Sequence, residues 1–300
     1  MNSLKALLYF SIFNYPLKKE EIFSYTSLKN KENLDNELSL LIEKGAIYKI
    51  DKFYTCSPKK EFIERRKKGN KMAQEIYMKA IQIANFIAKF PFVEGVGISG
   101  SLSKGYFDKE SDVDFFVITT PNKLWIARMF LVLYRKIFLL GSIDFFCVNY
   151  YITTENLEII DKNRFTATEL ATLIPVCGKQ VFTDFYKYNE WICDFFGNFT
   201  PKKQYLSDVN KPFLTKTVEF LLKNQLGKFF EKVFMKITYQ IKKIKFRHVS
   251  NEVFNSTIKS TSNVSKHHPK NYQKKVIETL NKKYLEIQQK YDIYLTPEDA

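Results

Sequence analysis

The sequence predicts an α+β protein: a β-sheet packed on helices, preceded by a small unit of helices and a hairpin and followed by a mostly helical region. Three observations predict it. Apolar residues at helical spacing alternate with short apolar strand-like runs between residues 31 and 148. Four of the ten glycines, Gly95, Gly97, Gly100 and Gly105, fall within eleven residues and mark a tight strand-to-turn junction. The last hundred residues return to long helical patterns.

Composition bounds the function. A chain of 300 residues holds two or three folding units, and 45% hydrophobic with 26% charged residues excludes a wholly disordered protein. The formal charge is +15, but 41 of the 47 cations are Lys and only 6 are Arg. Bidentate phosphate and base readers lean on Arg, so the excess is discounted as a nucleic-acid signature. Cys56, Cys147, Cys177 and Cys193 form no C-x-x-C pair, and with three His in the chain a zinc cage is not expected. Nothing suggests a disulfide framework, which points to the cytoplasm. Ala6 to Phe13 is followed by Asn14, Tyr15 and Pro16 instead of a small-residue cleavage site. Leu124 to Leu140 is 17 residues long and carries Arg128, Arg135 and Lys136. Both read as core-facing helices, and no membrane association is expected.

Residues 1–58 read as three helices (3–13, 18–25 and 31–44) and a hairpin (46–50 with 53–56), a winged-helix-like pattern. Gly45 closes the third helix. That helix sets Lys31 and Lys44 against Glu32, Asp35, Glu37 and Glu43, a net of −2. A groove-reading helix is neutral to basic, so packing or partner docking is the better reading than DNA binding. Residues 59–90 form a connecting helix, whose basic cluster Arg65, Arg66, Lys67 and Lys68 reads as a solvated face.

Residues 91–155 carry the chemistry. Val93 to Ile98 is a strand, and Gly100, Ser101 and Gly105 then build a turn where backbone can approach a ligand. Successive N–H groups in such a turn make an anion-binding concavity, with Ser101 adding a hydroxyl and Lys104 a cation. Asp112-Val113-Asp114 leads into the apolar strand Phe115 to Ile118. Residues i and i+2 of a strand share a face, so Asp112 and Asp114 present two carboxylates together while Val113 and Phe115 face the other layer. Two such carboxylates repel unless a cation lies between them, and oxygen ligands of this kind suit Mg²⁺. A helix follows from 122 to 140, then a buried strand is expected over Ser142 to Val148 with Asp144 near its start. A lone Asp in an apolar run is costly unless paired or metal-bound. If the two strands are neighbours, all three carboxylates converge.

This segment resembles the nucleotidyltransferase superfamily typified by DNA polymerase beta. The family pattern is an apolar strand, Gly-Ser, a loop of about ten residues, then Asp-x-Asp among apolar residues. Gly100-Ser101, ten intervening residues and Asp112-Val113-Asp114-Phe115 match it. Small bacterial members show Gly-Ser-x-Ala-Arg-Gly and Ser-Asp-x-Asp; here these read Gly100-Ser101-Leu102-Ser103-Lys104-Gly105 and Ser111-Asp112-Val113-Asp114. Lys104 keeps the charge of the family Arg without its fork. The motifs are specific for about Val93 to Val148. A leading winged helix and a helical C-terminal part are similar to an uncharacterised bacterial group carrying this domain.

The resemblance implies a nucleotidyltransferase-type mixed sheet and a two-metal, Mg²⁺-dependent transfer of an NMP group from an NTP, ATP by default, to a hydroxyl acceptor that the sequence does not name. It implies catalytic and metal-binding roles for Asp112, Asp114 and Asp144. Gly100, Ser101, Ser103, Lys104 and Gly105 would hold the nucleotide. Asp144 is the best positional match for the family's third carboxylate and would help take the proton of the attacking hydroxyl. The alternative is a non-enzymatic nucleotide- or nucleic-acid-binding protein built on an inactive form of this fold. Retention of three mutually repelling carboxylates favours the enzyme.

Residues 156–300 are expected to be mostly helical. Tyr186, Tyr188, Trp191, Phe195 and Phe196 read as core rather than a base-stacking platform. The last hundred residues hold 20 Lys and Arg against 9 Asp and Glu. Lys228, Lys232 and Lys236 line one face of a helix whose apolar face runs from Leu226 to Ile244. A nucleic-acid track is possible there, but a solvated face is favoured. Residues 255–266, rich in Ser, Thr and Asn, are expected to be a flexible loop, and the adjoining His267 and His268 lack a third ligand.

Overall fold

A computed structural model describes residues 1–141, 145–202, 205–247, 249, 254, 258–266 and 271–299. Helix α1 (Asn2–Ser11) buries Leu4, Leu7, Leu8 and Phe10, and Asn14 turns the chain with φ 52. Strand β1 (Leu17–Lys18) leads into α2 (Lys19–Ser24), where the Lys18 N–H donates to Glu21 Oε2 at 2.7 Å. Helix α3 (Lys31–Glu43) is capped by Asn30, whose Oδ1 accepts from the Asn33 N–H at 2.8 Å. The hairpin β2 (Tyr48–Ile50) and β3 (Phe53–Thr55) completes a three-stranded antiparallel sheet in the order β1-β3-β2.

Helix α4 (Lys60–Ile87) has 28 residues, roughly 42 Å of helix, and joins this sheet to a second one. Its basic cluster is not uniformly solvated. Arg66 is 2% exposed, its guanidinium lying 4.3 Å from the Tyr15 ring centroid and 4.8 Å from that of Phe53. It pairs with Glu21 and donates to the Pro16 carbonyl. The reading as a solvated face fails here because Tyr15, Glu21 and Phe53 are remote in sequence and supply both charge and apolar cover.

The second sheet is built from β4 (Val93–Ser99), β5 (Asp114–Thr119), β6 (Cys147–Thr153), β7 (Ile174–Cys177) and β8 (Val264–Lys266), in the order β7-β4-β5-β6-β8. Only β5 and β6 are parallel, so the sheet is mixed. Helices α5 (Gly100–Ser103), α6 (Leu124–Phe138), α7 (Arg164–Thr172), α8 (Lys179–Tyr188), α9 (Ile192–Phe195), α10 (Phe213–Leu221), α11 (Gln225–Lys245) and α12 (Tyr272–Tyr291) complete the fold. One face of the sheet, with Val113, Phe115 and Val117, packs on α4 and α6; the other, with Phe116, Ile118 and Ile152, packs on α7 and α8. The chain closes on itself. Val276, Leu280 and Tyr284 of α12 share a core with Leu4, Leu7 and Leu8, and Glu298 bridges Lys5 at 3.2 Å and Arg164 at 2.6 Å. No described helix is long and apolar enough to cross a membrane.

Two expectations are corrected. The strand expected over 142–148 is β6, which starts at Cys147 and runs through the less apolar Asn149, Tyr150 and Tyr151. The end of the expected loop 255–266 is β8, antiparallel to β6 at the sheet edge; residues 255–257 lie outside the described residues, as do His267 and His268. The apolar face of α11 is only partly core: Phe230 and Phe234 pack inward, whereas Leu226, Phe229, Ile237, Ile241 and Ile244 are exposed. Of the aromatic residues from Tyr186 to Phe196, Phe196 is core, Tyr186, Trp191 and Phe195 pack half-buried against it, and Tyr188 is exposed.

Candidate active site

The site forms where β4 ends and β5 begins. These strands pair antiparallel with Ser99 opposite Asp114, so the chain leaving β4 must turn across the start of β5. Gly100 makes that turn with φ +65. A Cβ there would come within 2.2 Å of Asp114 Oδ2, so the position demands glycine for its backbone and for the space. The short helix α5 follows, and the N–H groups that open a helix have no carbonyl of their own turn to bind. Ser101 and Leu102 stand at that opening beside Asp114.

The remaining residues of the turn have distinct surroundings. Ser103 is buried; its hydroxyl donates to the Gly100 carbonyl at 2.8 Å and approaches Thr172 Oγ1 at 3.5 Å. It braces the turn from inside and does not face the open side. Lys104 Nζ donates to the Gly100 carbonyl at 3.0 Å and pairs with Glu169 Oε2 at 2.9 Å. Gly105 turns the chain at φ +75, and Asn70 of α4 donates to its carbonyl. Tyr15 donates to the Lys104 carbonyl at 3.0 Å. The glycine turn is therefore clamped from behind by α4 and the N-terminal unit.

Asp114 is held from the neighbouring strand. In the parallel register it stands beside Cys147, and the Asn149 amide donates to its Oδ1. Burial, then the charge of Asp112, pushes the Asp114 carboxyl up to about 6, Glu169 adding to the rise while Cys147 and Lys104 oppose it. Burial, with the charges of Asp114 and Asp112, pushes the Cys147 thiol up to about 12, which keeps it protonated. Asp112 stands two residues before Asp114, and Val113 between them is fully buried on the opposite face, as the strand periodicity requires. Asp144 lies outside the described residues.

Three participants escape sequence reasoning. Asn149 and Glu169 reach the site from β6 and α7, with no local motif to mark them. Lys202 is exposed along part of its side chain, yet its ammonium donates to the carbonyls of Ser103 at 3.0 Å and Thr172 at 3.3 Å. Burial and the nearby Lys104 push it down to about 8.

A glycine turn pressed against a half-buried carboxylate, with a second carboxylate two residues away, is the geometry that phosphate and a divalent cation need together. The family model described as a nucleotidyltransferase domain matches residues 78–169, from the second half of α4 into α7. This chain carries a nucleotidyltransferase domain. No curated protein and no solved structure matches the chain.

Nucleotidyltransferase domains commonly use Mg²⁺, and the donor chemistry of Asp112 and Asp114 fits a hard cation. Asp114 is the better sign of that fit. Its carboxylate is disfavoured by burial and by Asp112, and a positive charge between the two would relieve both effects. Among the described residues no group of three His, Cys, Asp or Glu comes together as a metal cage.

Proposed function

We propose that the protein is a Mg²⁺-dependent nucleotidyltransferase that moves an NMP group from an NTP, with ATP as the default donor, to a hydroxyl acceptor. One observation carries the reading: Gly100 is in contact with Asp114, so a triphosphate bound on the turn lies against the paired carboxylates.

In this reading Asp112 and Asp114 hold Mg²⁺, with Asp144 as the third carboxylate assigned from sequence. The bound metal would supply charge neutralisation at the phosphates and a lowered pKa for the attacking hydroxyl. The chain's own contribution is placement. The N–H groups opening α5 and the Ser101 hydroxyl bind non-bridging phosphate oxygens. Lys104 and Lys202 set positive charge behind them, tempered by Glu169. Asn149 fixes the Asp114 carboxylate, leaving its other oxygen, which faces Gly100, for the ligand. In the transfer the acceptor oxygen bonds to the α-phosphorus and the bond from that phosphorus to the pyrophosphate oxygen breaks. Pyrophosphate leaves with the electron pair, and the hydroxyl proton passes to a site carboxylate, Asp144 in this assignment.

The N-terminal unit and α4 serve this site by clamping the turn, so a winged-helix-like module acting as a structural buttress needs no DNA. Calorimetric titration with ATP and Mg²⁺ tests the reading. Wild type should bind ATP only with the metal, and Asp112→Asn or Asp114→Asn should each abolish that metal-dependent binding. Metal-dependent binding retained at wild-type strength by both variants would remove the basis of the assignment.

A further inference from the structure

A second feature adjoins the carboxylates on the α6 side of the sheet. A cavity of about 820 Å³ lies between α6, β6 and α11, with Asp112 and Asn149 in its lining. Its volume is that of a small-molecule site. Leu131, Val132, Phe146 and Tyr151 give it apolar walls. Its charge is one-sided. Arg128, Arg135 and Lys242 all line it, Lys136 and Lys245 stand at exposed positions, and Asp112 is the one carboxylate among the described lining residues.

Among the described residues these three cations have few partners. Lys242 is 5% exposed and, among the described residues, has as hydrogen-bond partners only the Ser260 hydroxyl at 3.2 Å and the Lys266 carbonyl at 3.5 Å. Arg128 donates to Thr238 at 3.3 Å and stacks 5.7 Å from the Trp125 ring, the ring that Lys242 approaches at 5.9 Å. Arg135 Nε is buried with no hydrogen-bond partner among the described residues. The charges also oppose one another. Burial, then Arg128, pushes Lys242 down to about 7, and burial, then Arg135 after the opposing Tyr151, acts on Arg128 in the same direction. Like charges gathered in an apolar cavity are unfavourable unless an anion is bound among them.

We propose that this cavity is the acceptor site and that the acceptor is a phosphomonoester on an apolar body. With the exposed Lys136 and Lys245 set aside, three cations face one carboxylate, an excess of positive charge that suits a dianionic phosphate better than a single carboxylate. Guanidinium forks suit its oxygens. The apolar walls take the rest of the molecule, and Asp112 at one end brings its hydroxyl toward the nucleotide. The term acceptor rests on the transferase reading; the phosphate site itself does not. The ester could be a soluble metabolite or a lipid headgroup, which share this chemistry.

The test uses the full chain without NTP or Mg²⁺, so a failure of transfer and a failure of the cavity are separable. Octyl phosphate is titrated calorimetrically against wild type, Arg128→Met, Lys242→Met, Arg135→Gln and, as a control on the exposed face of α11, Lys228→Met. Each cavity variant that retains a cooperative thermal transition should weaken octyl phosphate at least about tenfold, with Lys228→Met unchanged and octanoate bound more weakly than octyl phosphate throughout. Sedimentation with phosphatidic acid vesicles separates the sources. Capture in solution assigns a soluble ester, and capture by the vesicles alone, lost in the same variants, assigns a headgroup. Absence of both, equal binding by folded cavity variants, or displacement of octyl phosphate by ATP·Mg²⁺ would overturn the proposal.

Discussion

Asp114 fills the space that a side chain at Gly100 would need: a Cβ on the glycine would lie 2.2 Å from the carboxylate oxygen. The turn that receives phosphate and the carboxylate that receives metal are thereby one mechanical unit. Gly100→Ala should disturb both at once. The clash and the positive φ should cost about 1–3 kcal/mol in urea denaturation, and nucleotide binding should fall further than stability alone explains. A fully active Gly100→Ala protein would show that the two are not coupled.

Asp114 gives a pH signature. A carboxyl whose folded pKa is raised holds its proton in the native state after the unfolded chain has lost it. Its favourable contribution is therefore complete below the unfolded value, near 4, and declines as pH rises toward about 6. Without divalent cation, Asp114→Asn should be more stable than wild type above that window, by roughly 1–3 kcal/mol, and equal to it at the acid end. Millimolar Mg²⁺ should stabilise wild type alone. Melting curves from pH 4 to 8, with and without Mg²⁺, read both effects, and a variant less stable than wild type at pH 8 would contradict the assignment.

How much of this was legible in the sequence follows from where the partners lie. The glycine turn, Asp112 and Asp114 sit within fifteen residues, and strand alternation alone orients them. β7 carries no strand signal in the sequence, with four residues, Pro175 among them, directly after a helix. The expected strand falls earlier than β6 because Ile143, Phe145 and Phe146 are more apolar than Asn149, Tyr150 and Tyr151, although the latter make the strand. Glu169, Lys202 and Asn149 reach the site through tertiary contacts that no local pattern encodes. The burial of Arg66 was hidden for the same reason.

Arg66 makes a separate prediction. Its guanidinium is enclosed by Tyr15 and Phe53 and paired with Glu21, tying α4 to the N-terminal sheet. Arg66→Met leaves Glu21 and the Pro16 carbonyl without their partner and should cost about 2–4 kcal/mol in chemical denaturation. Arg65→Met, at an exposed neighbouring position, should cost under about 1 kcal/mol. Similar losses for the two would place the tie elsewhere.

Asn149 sits where a third carboxylate would crowd Asp114. Asn149→Asp should remove the amide donor and add a repelling charge, lowering the melting temperature in EDTA. Mg²⁺ should restore most of the loss. If the variant melts as wild type in EDTA, the Asn149 amide does not hold Asp114.

Asp112 and Asp114 should carry nucleotidyl transfer. The direct measurement is incubation of the protein with α-labelled NTPs, Mg²⁺ and a small-molecule cell extract, followed by separation of labelled products. Wild type should place label on an acceptor and release pyrophosphate in equal amount, and Asp112→Asn and Asp114→Asn should each reduce this by at least about a hundredfold. Label transferred equally by wild type and both variants, or ATP·Mg²⁺ bound by wild type with no labelled product from any extract, would contradict it.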